Sequence, residues 1–97
     1  MKVYISGPIT SEDKDQQARN IEAFFSMRAK VVALGHEPIN PCEVPSKDDS
    51  WLSHMRADII ELMKCDAYVT LLCWRDSRGA RIEVELADAL GIPRLKI

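Results

Sequence analysis

The sequence is short of the patterns that announce most small-domain functions. Its three cysteines, Cys42, Cys65 and Cys73, form no CxxC pair, and their spacing matches no zinc framework. No metal site and no cofactor are expected, and the cysteine usage fits a reduced, cytoplasmic setting. No apolar run approaches the roughly 20 residues that span a bilayer. No charged-then-apolar leader precedes the first predicted strand, so neither secretion nor a membrane partner is expected. Dense lysine and arginine blocks are also missing: thirteen basic side chains stand against fifteen acidic ones, a formal charge of −2. A nucleic-acid polymer, held mainly through many phosphate contacts, is therefore not an expected partner. Neither GxxxxGK[ST] nor GxGxxG occurs, which removes the usual nucleotide loops. Repeats, low-complexity tracts and linkers are absent as well.

What is there is a chain of 97 residues, 46% apolar, enough for one packed core and one domain over residues 1–97. Lys2-Val3-Tyr4-Ile5-Ser6 reads as a strand stopped by Gly7-Pro8. A helix is predicted from about Gln16 to Leu34, with Ala18, Ile21, Phe24, Phe25, Ala29 and Val32 on one face and Gly35 closing it. His36 to Ile39 is a short strand, and Cys42 to Asp49 a loop. Asp49 or Ser50 caps a helix over Trp51 to Lys64 that buries Leu52, Met55, Ile59, Leu62 and Met63, with Asp58 beside that stripe. Residues 67–73 have the β-branched content of a buried parallel strand. Asp76 or Ser77 caps a third helix, from about Gly79 to Leu90, and residues 92–97 supply a last strand. This alternation predicts an α/β three-layer sandwich, Rossmann-like, with a parallel sheet of four to five strands.

In such a sheet the strands at 2–6 and 67–73 open on the same edge, where ligands bind. Tyr4, Ser6, Gly7, Ser77 and Glu83 then converge, and Gly79 lets a ligand approach the backbone. Asp58 and Glu83 are the carboxylates to weigh. Two such groups at one cleft can divide the work of nucleophile and proton donor, as in retaining glycosidases with carboxyl groups roughly 5 Å apart. A plainer reading stands beside each: a solvated residue in a helix's second turn for Glu83, and a solvated position near Glu61 for Asp58. Trp51 and Trp74 either stack on a base or pack at a core rim. Arg75, Arg78 and Arg81 either hold a phosphate or balance local acids. His54 reads as a surface residue, and Glu85 faces away from Glu83.

Taken in order, Tyr4-Ile5-Ser6-Gly7-Pro8, His54-x-x-x-Asp58-Ile59-x-x-Leu62-x-x-Cys65-Asp66 and Ser77-x-Gly79-x-x-x-Glu83-x-x-x-Ala87 resemble the nucleoside 2-deoxyribosyltransferase superfamily. In detail the chain is similar to its short, phage- and prophage-associated branch, DUF4406. The resemblance implies a flavodoxin-like sheet and N-glycosidic hydrolysis or deoxyribosyl transfer through a covalent glycosyl-Glu83 intermediate. It implies that Asp58 protonates the departing base and that Tyr4 orients Glu83. Ser6, Gly7, Pro8, Ser77, Gly79 and Arg81 would bind substrate. Ser stands six positions before the nucleophile where relatives acting on free nucleosides have Asp, which implies a deoxynucleoside 5′-monophosphate. Arg81 and Glu85 occupy places where relatives usually have a small or apolar residue and a glycine, which implies a tighter and more charged pocket. A homodimer or larger homo-oligomer is implied too. The rival readings are a nucleotide-binding sensor without turnover and, third, a structural domain that pairs through its helices.

Overall fold

A computed structural model describes residues 1–97. Strand β1 (Lys2–Ser6) leads into helix α1 (Lys14–Ala33), then β2 (Glu37–Ile39), α2 (Trp51–Met63), β3 (Ala67–Thr70) and α3 (Arg78–Ala89). Short 3-10 turns at Pro41–Glu43 and Trp74–Asp76 precede α2 and α3. The sheet is parallel, in the order β2-β1-β3, so β1 lies in the middle. Its register pairs Tyr4 with Ile39 on one side and with Tyr68 on the other. Pro38, which has no N–H to give to a ladder, is tolerated because β2 is an edge strand.

Strand alternation sorts β1 into two faces. Val3 and Ile5 join Phe24 and Val31 of α1, with Ala67 and Val69 of β3, in one apolar cluster. Tyr4 points the other way, into a cluster with Leu62 of α2, Tyr68 of β3, and Val84 and Ala87 of α3. Helices therefore cover both faces and the three layers are present. The chain winds from β1 to β2 on one side, then crosses back to β3 on the other. The crevice at the carboxyl ends of β1 and β3 is the switch point that this reversal creates.

Several boundaries differ from expectation. The sheet has three strands, not four or five: residues 92–97 contribute one bridge, Arg94 opposite Tyr68. Pro93 can accept from Tyr68 but cannot donate back, and the Arg94 guanidinium donates to the Thr70 hydroxyl oxygen at 2.7 Å. Strand β3 stops at Thr70 because the chain turns sharply, with Cys73 at a left-handed φ of 65°. On α2 the buried side chains are Met55, Asp58 and Leu62, whereas Leu52 is 59% exposed and Met63 also faces out. On α1 the contact with the sheet is a narrow stripe, Phe24 and Val31 flanked by Met27. Phe25 and Val32, expected inside, are exposed together with Ala18 and Ala29. One helix lying on a three-stranded sheet buries only the residues along its line of contact.

Gly7 sits where β1 leaves the sheet, and a Cβ there would lie 2.8 Å from the Leu71 Cβ. At Gly79 the same atom would meet the Met55 sulfur at 2.9 Å, well along a flexible side chain rather than at its Cβ. Gly7→Ala should therefore cost about 1–3 kcal/mol as an overpacking change. Gly79→Ala should cost visibly less. Denaturant midpoints of the two variants check the order.

Candidate active site

Glu83 lies six residues past Ser77, the helix cap whose Oγ accepts from the Ala80 N–H at 3.2 Å. Asp76 is exposed and does not cap. The buried stripe of α3, Gly79, Ala80, Glu83, Val84 and Ala87, places the Glu83 carboxylate over the end of β1, and only 5% of the residue is exposed. The Tyr4 hydroxyl donates to Glu83 Oε2 at 2.5 Å, and the Ser6 hydroxyl donates to Oε1 at 2.7 Å. Tyr4 and Ser6 are two apart on one strand, so the pleat delivers both to the same face. Each carboxylate oxygen thus holds one hydroxyl donor.

A cavity of about 390 Å³ opens in front of this group. Glu83, Ser77, Gly79 and Ala80 form its α3 wall; Trp51, His54, Met55 and Asp58 form its α2 wall. Gly7, Ile9 and Thr10 after β1, Ile21 of α1, and Pro41, Cys42, Val44 and Asp49 complete it. A second hollow, about 420 Å³, lies against Met27, Val69, Arg94 and Lys96 and is lined by no Asp or Glu side chain. The paired acids belong to the first. No group of three or more His, Cys, Asp or Glu side chains is arranged to hold a metal.

Asp58 is 7% exposed and sits at the apolar stripe of α2, one turn from Met55 and one from Leu62. Burial, and then the Glu83 charge, push its carboxyl up to about 7. Burial also raises Glu83, but the Tyr4 and Ser6 hydroxyls donate to its ionised form and pull in the opposite direction. The Tyr4 phenol is driven well above its ordinary range by burial and then by Glu83 and Asp58, so it stays a neutral donor. Burial and then Asp58 push the Cys42 thiol up to about 11, so that side chain stays a neutral thiol. Two neighbouring carboxyls thus stand in unlike surroundings: burial raises both, but only Glu83 has hydroxyl donors that counter it.

The expected residues separate into three groups. Gly7, Asp58, Ser77, Gly79 and Glu83 line the cavity. Tyr4 and Ser6 lie behind it, in contact with Glu83. Pro8 is half-buried outside the lining, and Arg81 is exposed, its guanidinium donating to the Arg75 carbonyl at 2.7 Å. Gly79 also has a packing role, because its missing Cβ lets α3 close against Met55. The other two arginines rest on aromatic rings: Arg75 lies 4.7 Å from the Trp74 centroid and Arg78 lies 4.5 Å from that of Trp51. The wall formed by Cys42, Val44 and Asp49 carried no periodic signal in the sequence. His54, exposed yet lining the cavity, was legible only through its four-residue spacing from Asp58.

Residues 1–95 match a family model described as a domain of unknown function, DUF4406. No curated protein matches the sequence. Among solved structures, the fold is similar to that of a 2-deoxyribosyltransferase from the psychrotolerant bacterium Bacillus psychrosaccharolyticus, with a TM-score of 0.74 at 18% identity. That alignment covers 97% of this chain and 69% of the other. A conserved protein from Enterococcus faecalis V583 aligns with a TM-score of 0.65 at 22% identity, over 97% of this chain and 60% of the other. At these identities the likeness is one of fold.

The raised Asp58 pKa has a consequence for stability. A carboxyl that titrates higher in the folded state than in the unfolded one contributes stability fully below the unfolded value, near 4. That contribution is lost as pH rises through about 7. At about 1.4 kcal/mol per pH unit, roughly 2–4 kcal/mol should disappear between pH 4 and 8. Asp58→Asn should flatten this fall and be more stable than the unmutated protein at pH 8. Urea unfolding at both pH values measures it, and parallel curves for the two proteins would refute the assignment.

Proposed function

The chain belongs to the DUF4406 family, and from the site it carries we propose that it cleaves the N-glycosidic bond of a 2′-deoxynucleoside 5′-monophosphate, passing the sugar to water or to a second base. The observation that carries this reading is a buried carboxylate held by two hydroxyls, beside a second carboxyl displaced to about 7. Glu83 attacks C1′ as the C1′–N bond breaks, and Asp58 gives its proton to the nitrogen that takes the bonding pair. In the second half, water or another base attacks C1′, the ester C–O bond breaks, and its pair returns to Glu83. Asp58, now ionised, accepts the incoming proton. Covalent catalysis of this kind splits one hard displacement into two easier ones. The fold shared with a 2-deoxyribosyltransferase supports a pocket that handles nucleosides.

The 5′ end of the substrate is assigned to the α3 side of the cavity. Ser77 offers a neutral hydroxyl there, at a helix N-terminus whose first amides have no partner within the helix. Arg78, stacked on Trp51, adds a cation at the rim. A dianionic phosphate suits an end that offers a hydroxyl, free helix amides and a cation.

Incubation with a panel of deoxynucleotides and the matching deoxynucleosides, followed by chromatography for free base, tests the reading. Base release is expected from nucleotides in preference to nucleosides. It should drop by several orders of magnitude in Glu83→Ala with the fold intact. Asp58→Asn should bind substrate but turn over slowly, and should lose the fall in rate that the unmutated protein shows as pH rises through about 7. Saturable binding without base release would identify a sensor instead, and undiminished release by Glu83→Ala would exclude the mechanism.

The same reading includes a homodimer. Ala18, Phe25, Ala29 and Val32 leave an apolar stripe along the outside of α1, which a second copy can cover. Sedimentation at micromolar concentration should give a species of twice the 11.0 kDa chain mass. A lone monomer under those conditions would rule the dimer out.

A further inference from the structure

We propose that Ser6 is a positioning residue which, together with Tyr4, grips Glu83 by both carboxylate oxygens and sets how quickly that carboxylate departs from the sugar. The inference rests on the reaction proposed above, but the geometry behind it is independent of substrate. Ser6 is 1% exposed and does not line the cavity, so its hydroxyl has no route to a ligand. Its Oγ donates instead to Glu83 Oε1 at 2.7 Å, while the Tyr4 hydroxyl occupies Oε2. Two donors on two oxygens fix the carboxylate plane. A single tyrosine would leave it free to rotate about its last torsion.

The pair also divides the chemistry unequally between the two half-reactions. Hydrogen bonds to an ionised carboxylate stabilise its charge. When Glu83 attacks C1′, that charge is spent in the new C–O bond, so the donors oppose the step. When water attacks C1′ and the C–O bond breaks, the electron pair and the charge return to the carboxylate, so the donors assist. Ser6 thus weakens Glu83 as a nucleophile and improves it as a leaving group. A long-lived glycosyl ester waits for a second base, whereas a short-lived one is lost to water. The hydroxyl at position 6 therefore shifts the balance toward rapid clearance of the enzyme-bound sugar.

The test compares the unmutated protein with Ser6→Ala and with Ser6→Cys, which keeps the volume but offers only a weak donor. Carboxyl resonances of protein labelled with ¹³C-glutamate are titrated, and the Glu83 signal is identified by its loss in Glu83→Gln. Removal of the Ser6 hydroxyl should move the Glu83 midpoint upward by roughly one pH unit, with Ser6→Cys between the two. Denaturing mass spectrometry during turnover of a deoxynucleotide should find a several-fold larger share of sugar-bound protein in Ser6→Ala. An unmoved Glu83 midpoint overturns the proposal. An unchanged sugar-bound share, in protein that turns over, does so too. If the unmutated protein releases no base, the reaction proposed above fails, and the titration alone decides the role of Ser6.

Discussion

A carboxylate withdrawn from water is tolerated only where other dipoles replace the water it has lost. In this domain those dipoles are two hydroxyls on one face of one strand. Tyr4 and Ser6 reach the Glu83 oxygens because β1 alternates, because β1 is central, and because the Ser77 cap starts α3 at the position that brings its second turn over the strand end. Displace any of the three and the charge is left without partners. The arrangement ties the sheet to the helix layer through a polar contact inside an otherwise apolar interface. Tyr4, Leu62 and Val84 pack around the same spot.

Asp58 is the complement of that arrangement. It occupies a place on α2 where a leucine would satisfy the core, and its ordinary charge is suppressed by the surroundings. Glu83 is surrounded by donors; Asp58 has burial and a like charge for company. Unlike environments can separate the titration of two carboxyls that share one cleft.

Much of this was legible in the sequence and some was not, for identifiable reasons. The parallel α/β plan followed from alternating apolar periodicities, and the meeting of Tyr4, Ser6 and Glu83 followed from strand ends sharing an edge. The burial of Asp58 did not follow, because apolar residues at Leu52 and Met63 drew the predicted stripe of α2 to one side. Hydropathy does not reveal which side of a helix its neighbours leave uncovered. The same ambiguity misplaced Phe25 and Val32 on α1. The last strand was overestimated because Ile92-Pro93-Arg94-Leu95 has strand-like composition, while Pro93 and the Arg94–Thr70 contact confine pairing to one bridge. Cavity walls built from residues 41–49 carry no period at all, and only the folded chain brings them to the site.

The central place of β1 also bears on motion. A strand laddered on both sides opens only when the sheet itself opens, so its amides belong to the slowest-exchanging part of a fold. One stretch of the cavity's rim is of another kind: Val44 and Asp49 lie in irregular chain over residues 44–50, outside any helix or strand. The floor that bears the carboxylate thus shares the lifetime of the whole domain, while that stretch of rim can rearrange on its own. Loops around such a floor can change in length and chemistry without disturbing the group beneath them.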